Sequence, residues 1–260
     1  MIDALAAEWL KLRTLRSTSV VLGVVGVVVG LMVLLAWYAA HLWDTLPLEQ
    51  RGHLAVASLP ELANWLASLC LAVLGVLAFS GEHGTGMIRT TFTVLPSRGR
   101  VLAAKAGVVA VVAFCTGLAA VLVTSAVGRL IIGDRPIRGQ SAEALSRQMP
   151  LFLAMSLSMV MFALLGLCLA AITRSAVAAI AALVAVWYVL PIIVGNIPAP
   201  WNERIGSILP GALAGQLAGT GNPQSLGGAL LSPLAALAVM AAYVAAPYVM
   251  AAVLLARRDA

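Results

Sequence analysis

The chain has 260 residues, 62% of them hydrophobic and only 10% charged, and it carries a formal net charge of +6. A soluble domain is roughly 45–50% apolar and roughly 25% charged. A soluble fold of this length could not cover its apolar surface, so lipid must be the solvent for most of the outside. The basic residues fall in small groups between long uncharged runs, which favours a membrane-orientation signal over a nucleic-acid-binding face.

The first element in chain order is an amphipathic segment, residues 1–17. Apolar residues recur at helical spacing and polar residues lie opposite them: Ile2, Leu5, Trp9 and Leu12 against Asp3, Lys11 and Thr14. We predict a helix in the membrane interface, with a frayed tail that only sets topology as the alternative. The apolar run that follows is longer than a signal-peptide core, so we expect it to remain as a membrane span.

Six uncharged runs are long enough to cross a bilayer, which takes about 20 residues. They are residues 20–40, 62–80, 106–128, 151–172, 176–194 and 234–256. Only Thr173, Arg174 and Ser175 separate the fourth run from the fifth, so we expect a tight helical hairpin with Arg174 at its tip. The predicted fold is an all-α integral membrane protein, with a six-helix transmembrane domain over residues 18–260.

The distribution of charge orients these spans. If the N-terminus is cytoplasmic, the cytoplasmic segments hold ten basic and four acidic residues, whereas the outer loops hold six of each. Basic residues accumulate on the cytoplasmic side of membrane proteins. We therefore predict that both termini are cytoplasmic. A composition low in lysine and rich in alanine, valine and leucine suggests a bacterial source, and hence the bacterial cytoplasmic (inner) membrane.

The last outer loop, residues 195–233, differs from the other two. Its only charged residues are Glu203 and Arg204, and it contains five prolines between apolar stretches. We expect such a loop to fold back on the outer leaflet as short re-entrant helices.

Several motifs are missing from the sequence. A phosphate-binding loop needs a lysine followed by serine or threonine, but Lys11 precedes Leu12 and Lys105 precedes Ala106. The chain is therefore not expected to be an ATPase or any other enzyme. The centres of the spans hold no ionisable residue, which argues against a proton relay. The three cysteines lie in apolar runs without other ligands at metal-binding spacing, so no metal site is predicted.

A few polar or polarisable residues inside the spans could line a substrate path. The candidates are Asn64, Ser68, Thr116, Ser156 and Met159; for the methionine, gap filling in the core is the alternative. Gly26 and Gly30, with Gly23 one turn earlier, have the spacing that allows close helix contact. The partner of that contact is either another span of the chain or a second subunit.

The most informative segment is the loop between the second and third spans, residues 81–105. Thr85 can cap a short helix, and Pro96 ends it. Ile88, Phe92 and Leu95 fall on one face of that helix. An exposed apolar stripe requires a partner, which is either another protein or the bilayer surface with the arginines on lipid headgroups.

The loop contains Glu82, Thr85-Gly86-Met87-Ile88-Arg89, Pro96, Arg98 and Lys105, and the N-terminal segment contains the stretch from Glu8 to Ser17. These two stretches resemble the ABC type-2 permease family, the membrane subunits of ATP-binding-cassette exporters. The stretch from Glu8 to Ser17 is similar to the family's connecting helix, so residues 1–17 are predicted to have that role. His83 departs from the pattern, because an aromatic residue is expected after the glutamate.

The resemblance implies a permease subunit that exports a substrate by alternating access. It also implies a second permease copy, in a homodimer or heterodimer, and separate ABC ATPase subunits that bind ATP and magnesium. The chain itself then needs no cofactor. The partners are completed by membrane lipid, with no nucleic acid.

The loop would dock on the ATPase through a coupling helix, with these candidate residues: Glu82, Thr85, Gly86, Met87, Ile88, Arg89 and Phe92. We expect Arg98, Arg100 and Lys105 to contact anionic headgroups instead. The apolar spans suggest a hydrophobic or amphipathic substrate. The alternatives are a non-transporting immunity or regulatory subunit that recruits an ATPase, and an ion-coupled secondary carrier.

Overall fold

The computed structural model describes residues 2–84, 98–140, 143–220 and 231–257. Helices account for most of these residues, and their bounds are as follows: α1 Ile2–Thr14, α2 Arg16–Thr45, α3 Leu48–Arg51, α4 Leu59–Gly84, α5 Arg98–Ile132, α6 Leu145–Thr173, α7 Ala176–Val184, α8 Leu190–Gly195, α9 Trp201–Ile208, α10 Pro210–Leu217 and α11 Pro233–Arg257. A five-residue π-helical segment, Ala185–Val189, joins α7 to α8 without a break.

Among the described residues, six helical segments are long and apolar enough to cross a membrane, which confirms the predicted fold class. They are Arg16–Thr45, Leu59–Gly81, Gly99–Ile132, Leu145–Thr173, Ala176–Gly195 and Pro233–Arg257. Each contains one of the runs found in the sequence and extends beyond it at one or both ends. The extensions arise because helical backbone continues through the polar residues that flank each uncharged run.

The predicted hairpin between α6 and α7 is confirmed. Arg174 ends α6 in the left-handed region with φ 55°, and its N–H donates to the carbonyl oxygen of Ala170. A left-handed residue of this kind commonly terminates a helix by satisfying a free carbonyl group. The Ser175 hydroxyl then accepts a hydrogen bond from the Ala178 N–H and caps α7.

The centre of the bundle is a close crossing of α4 and α6. A Cβ atom placed on Gly75 would lie 1.9 Å from the carbonyl oxygen of Ala163, and one on Gly166 would lie 2.2 Å from that of Ala72. Neither distance is compatible with a side chain, so only glycine allows the two backbones to approach this closely.

The glycines that the sequence singled out do not make such a contact within the chain. Cβ atoms placed on Gly23, Gly26 and Gly30 would meet no described atom within 4 Å, and all three residues are exposed on α2. Of the two alternatives, packing on another span is therefore not observed among the described residues, and contact with a second subunit stays a prediction. Among the described residues, α2 packs on the core through a different face, which includes the buried residues Val21, Val25 and Val28.

The segment between α8 and α11 contains two short helices, α9 and α10, while residues 221–230 lie outside the described part. Gln216 of α10 ties the segment together. Its amide nitrogen donates to the carbonyl oxygen of Ser207 at 2.8 Å, and its amide oxygen accepts from the Leu231 N–H at 2.9 Å. Leu213 is fully buried. The segment thus packs on the bundle, and its depth in the bilayer stays a prediction.

Candidate functional site

The predicted coupling loop connects two helices whose ends the structure describes. Glu82 lies in the last turn of α4, and α5 begins at Arg98. The other candidate docking residues, Thr85, Gly86, Met87, Ile88, Arg89 and Phe92, lie outside the described residues. Docking on an ATPase through this loop stays a prediction.

The start of α5 is tied to the N-terminal helix by charged side chains. The Nζ atom of Lys105 lies 2.5 Å from Oε2 of Glu8, and Nζ of Lys11 lies 2.9 Å from Oε1 of the same carboxylate. Glu8 and Lys105 are each only 3% exposed. The sequence-based expectation that Lys105 contacts headgroups is therefore wrong, because its ammonium group is buried against Glu8.

Such a pair fixes the position of one helix on the other. Removing either partner of a buried ion pair leaves an uncompensated charge, which typically costs about 3–5 kcal/mol. Apolar contacts support the pair, since Leu12 is buried and Leu5 lies within 3.7 Å of a Cβ placed on Gly107. Trp9 is 49% exposed on the other side of α1. The amphipathic pattern of residues 1–17 thus includes a contact with α5 that the sequence did not reveal.

A second group of contacts surrounds Trp187 in the π-helical segment. Its indole Nε1 donates to the backbone carbonyl oxygen of Trp65 in α4 at 3.1 Å. Its ring packs edge-on against Phe162 of α6, with 4.2 Å between the ring centroids. Trp65 also meets Tyr188 edge-on at 4.7 Å. Short π-helical segments often occur at functional sites. Sequence reasoning missed Trp187, and the only available signal was a tryptophan in the middle of a span.

The candidate path residues occupy three helices. Asn64 and Ser68 lie one turn apart on α4 and are buried, as are Ser156 and Met159 on α6, whereas Thr116 on α5 is half-buried. The Ser156 hydroxyl donates to the Phe152 carbonyl oxygen at 2.7 Å within its own helix.

Three of these candidates differ in what their side chains contact. A Cβ atom placed on Gly117 would lie 2.5 Å from the sulfur of Met159, so this methionine fills the gap between α5 and α6. The Ser68 hydroxyl and the side-chain amide oxygen of Asn64 are buried with no hydrogen-bond partner among the residues described. Polar atoms in that state are costly unless a ligand or water satisfies them. A role for these residues in a substrate path stays a prediction.

The chain matches the family described as ABC-2 family transporter protein over residues 4–195. This chain belongs to that family. The match includes α1 except for its first two residues, the loop between α4 and α5, and both residues of the Glu8–Lys105 pair. It also includes five of the six candidate spans and ends at the last residue of α8.

Membership identifies the chain as the permease component of an ABC transporter. An ABC-2 permease is a membrane component rather than a catalytic one, and it works with an ABC ATPase. The predicted family is thereby confirmed, whereas the roles of the connecting and coupling helices stay predictions. No curated protein matches the chain.

Proposed function

We propose that this ABC-2 permease is one half of an exporter that moves a hydrophobic or amphipathic substrate out of a bacterial cell by alternating access. Separate ATPase subunits bind ATP and magnesium and drive the cycle, and a second permease copy, identical or related, completes the membrane part. In this arrangement both termini are cytoplasmic and the loop between α4 and α5 faces the ATPase. The path candidates Asn64 and Ser68 would contact the substrate.

The observation that carries the proposal is the buried Glu8–Lys105 pair. Lys105 lies two turns into α5, the helix that follows the predicted coupling loop. Because packed interiors transmit displacement rather than absorb it, a movement of the loop would shift the start of α5. The ion pair would then pass that shift to α1, which leads into α2 at Arg16.

Each predicted docking residue has a separate role at the ATPase surface. Gly86 would let the backbone turn, Met87, Ile88 and Phe92 would fill a groove, and Glu82 and Arg89 would fix the orientation by charge. Thr85 would cap the coupling helix.

Transport in proteoliposomes tests the proposal. We would reconstitute the permease with its ATPase and follow an amphipathic fluorescent dye, expecting ATP-dependent accumulation. The Lys105→Met variant should keep ATP hydrolysis but lose much of the dye transport. The control is Arg138→Gln, which removes an exposed charge in the loop between α5 and α6 and should transport the dye like the parent.

Two other outcomes would favour the alternatives. A stable complex that hydrolyses ATP and moves no amphiphile would favour a non-transporting subunit. Flux driven by an imposed proton or sodium gradient without ATP would favour a secondary carrier.

A further inference from the structure

A cavity of about 750 Å³ lies at the end of the bundle opposite the Glu8–Lys105 pair. It is bounded by the first turn of α4, the last turns of α5, residues 133–140 and the start of α6. We call this cavity the vestibule. Its volume is within the range of about 300–1,000 Å³ that small-molecule sites occupy.

One wall of the vestibule is held by a charged fork. The Nε and Nη2 atoms of Arg135 donate to the two carboxylate oxygens of Asp44 at 2.9 and 2.8 Å, and Nη1 donates to the carbonyl oxygens of Ile131 and Ile132. These hydrogen bonds to Asp44 raise the pKa of the Arg135 guanidinium. Arg135 is thus a structural cation whose charge Asp44 already balances.

Hydrogen bonds to backbone carbonyl groups also hold this wall in place. The Gln140 amide donates to the carbonyl oxygen of Ala57 at 2.9 Å, and the Val56 N–H donates to that of Arg138 at 2.9 Å. Gly139 has φ 90°, and a Cβ atom there would lie 2.0 Å from the Val56 carbonyl oxygen. Only glycine fits this position. The wall is therefore preformed, which reduces the entropy lost when a ligand binds.

Three charged side chains of the vestibule remain available to a ligand. Glu61, Asp134 and Arg147 are exposed and line the cavity. Within the described ranges, none of the three forms an ion pair or side-chain hydrogen bond. Arg129, Arg135 and Glu143 also line the cavity but already have contacts of their own. The two carboxylates and one guanidinium that remain suit a ligand with charges of both signs. A purely anionic group would be repelled by the carboxylates, and a purely cationic one would leave the guanidinium without a partner.

The inner surface of the vestibule has an apolar part beside the buried hydroxyl residues Thr124 and Ser125. Leu59, Ile132 and Ile137 line it and are buried, with Leu59 and Ile137 each 2% exposed. We propose that the vestibule binds the head of a zwitterionic amphiphile that carries an ammonium and a phosphate group. The ammonium lies at Glu61 and Asp134, the phosphate lies on the fork of Arg147, and the adjoining methylene groups pack on the apolar inner surface.

This binding is an equilibrium property of the permease, so it can be measured without ATP or a partner and is separate from the transport proposal. We would place the full chain in nanodiscs that contain only phosphatidylglycerol and titrate dihexanoyl phosphatidylethanolamine by calorimetry. We expect one saturable site. Dihexanoyl phosphatidylglycerol, which lacks the ammonium, and glycerophosphoethanolamine, which lacks the acyl chains, should each bind about tenfold or more weakly.

Variants of the charged lining test the assigned contacts. Glu61→Gln and Arg147→Gln should each weaken phosphatidylethanolamine binding about tenfold, since each removes a charge-assisted hydrogen bond. Glu49→Gln and Arg138→Gln are the matched controls, because Glu49 on α3 and Arg138 in the loop after α5 are exposed and neither lines the vestibule. Both should bind like the parent.

Absence of phosphatidylethanolamine binding would overturn the proposal, as would equal affinity for phosphatidylglycerol or unchanged binding in both lining variants. A second measurement avoids dependence on how the variants fold. A photoreactive phosphatidylethanolamine with a diazirine near its head should label the parent chain within residues 58–61, 133–137 or 147–151. Labelling confined to other segments would also overturn the proposal.

Discussion

Lys105 and Glu8 are 97 positions apart in the sequence, yet the ammonium nitrogen of one lies 2.5 Å from a carboxylate oxygen of the other in the interior of the protein. Lys11 shares the same carboxylate. The chain has only two lysines, and both of them contact Glu8. The pair joins the N-terminal helix to the helix that follows the predicted coupling loop.

We predict that Glu8→Gln destabilises the folded permease by about 3–5 kcal/mol, because it removes the carboxylate charge that the buried Lys105 ammonium contacts. A thermal unfolding scan in detergent should show a lower midpoint. The double variant Glu8→Lys with Lys105→Glu restores opposite charges and should recover part of the loss. Glu49→Gln, an exposed acid on α3, is the control, and an equal effect there would contradict the assignment.

A second prediction concerns the crossing of α4 and α6. Gly75→Ala places a methyl group against the Ala163 carbonyl oxygen, and such overpacking should cost about 1–3 kcal/mol or more. We expect a lower unfolding midpoint or aggregation on size-exclusion chromatography. Gly26→Ala on the open face of α2 should cause no loss, since alanine favours a helix over glycine. Equal tolerance at both positions would argue against the close crossing.

These two glycine positions show why sequence reasoning located the wrong contact. A close approach of two helices needs only one glycine in each, and Gly75 and Gly166 form no repeat within either helix. Gly26 and Gly30 form a repeat but face away from the chain's own core. The spans and the Arg174 hairpin could be predicted because lipid imposes length and apolarity on a contiguous segment.

The Glu8–Lys105 pair could not be predicted in the same way. Its residues are ordinary interfacial charges in their own segments, and only the packing of α1 on α5 makes them partners. The vestibule likewise combines residues from four separate segments. Arg147 and Glu61 are both outer-loop charges by sequence, with nothing in their spacing to associate them.

The third prediction tests Trp187. Trp187→Phe keeps the aromatic contact with Phe162 but removes the donor to the Trp65 carbonyl oxygen, which should cost about 1 kcal/mol. Trp187→Ala also empties the site and should cost about 3–5 kcal/mol. The unfolding midpoint should be highest for the parent, lower for Trp187→Phe and lowest for Trp187→Ala. Trp201→Phe alters a tryptophan that is 59% exposed and should have little effect; a matching loss there would contradict the role of Trp187.

The fourth prediction concerns orientation. Since basic residues oppose transfer across the membrane, a reporter fused after Ala260 should be active only in the cytoplasm. A phosphatase that needs the outer compartment and a fluorescent protein that needs the cytoplasm form a matched pair of reporters. Phosphatase activity at this position would mean that the C-terminus lies outside and that the orientation inferred from the charge distribution is wrong.

The last prediction addresses the loop outside the described residues. If Ile88, Phe92 and Leu95 form an apolar stripe that enters a groove on the ATPase, Phe92→Ala removes a buried aromatic anchor. Docking should weaken by about 2 kcal/mol or more, the scale of an interface hot spot. The variant should insert and fold like the parent, because the spans hold the chain in the bilayer, yet co-purify poorly with the ATPase or lose substrate-dependent ATP turnover.

A control in the same loop separates this interpretation from the alternative of a helix resting on lipid. Thr93→Ala lies one position from Phe92 and off the stripe, so it should leave the complex intact. If the helix only contacts headgroups, Phe92→Ala would lose a little membrane affinity and keep the complex, since one side chain adds little to the hold of six spans. An unchanged complex with unchanged turnover would therefore count against the coupling helix, because a docking anchor cannot be removed without weakening the contact that it makes.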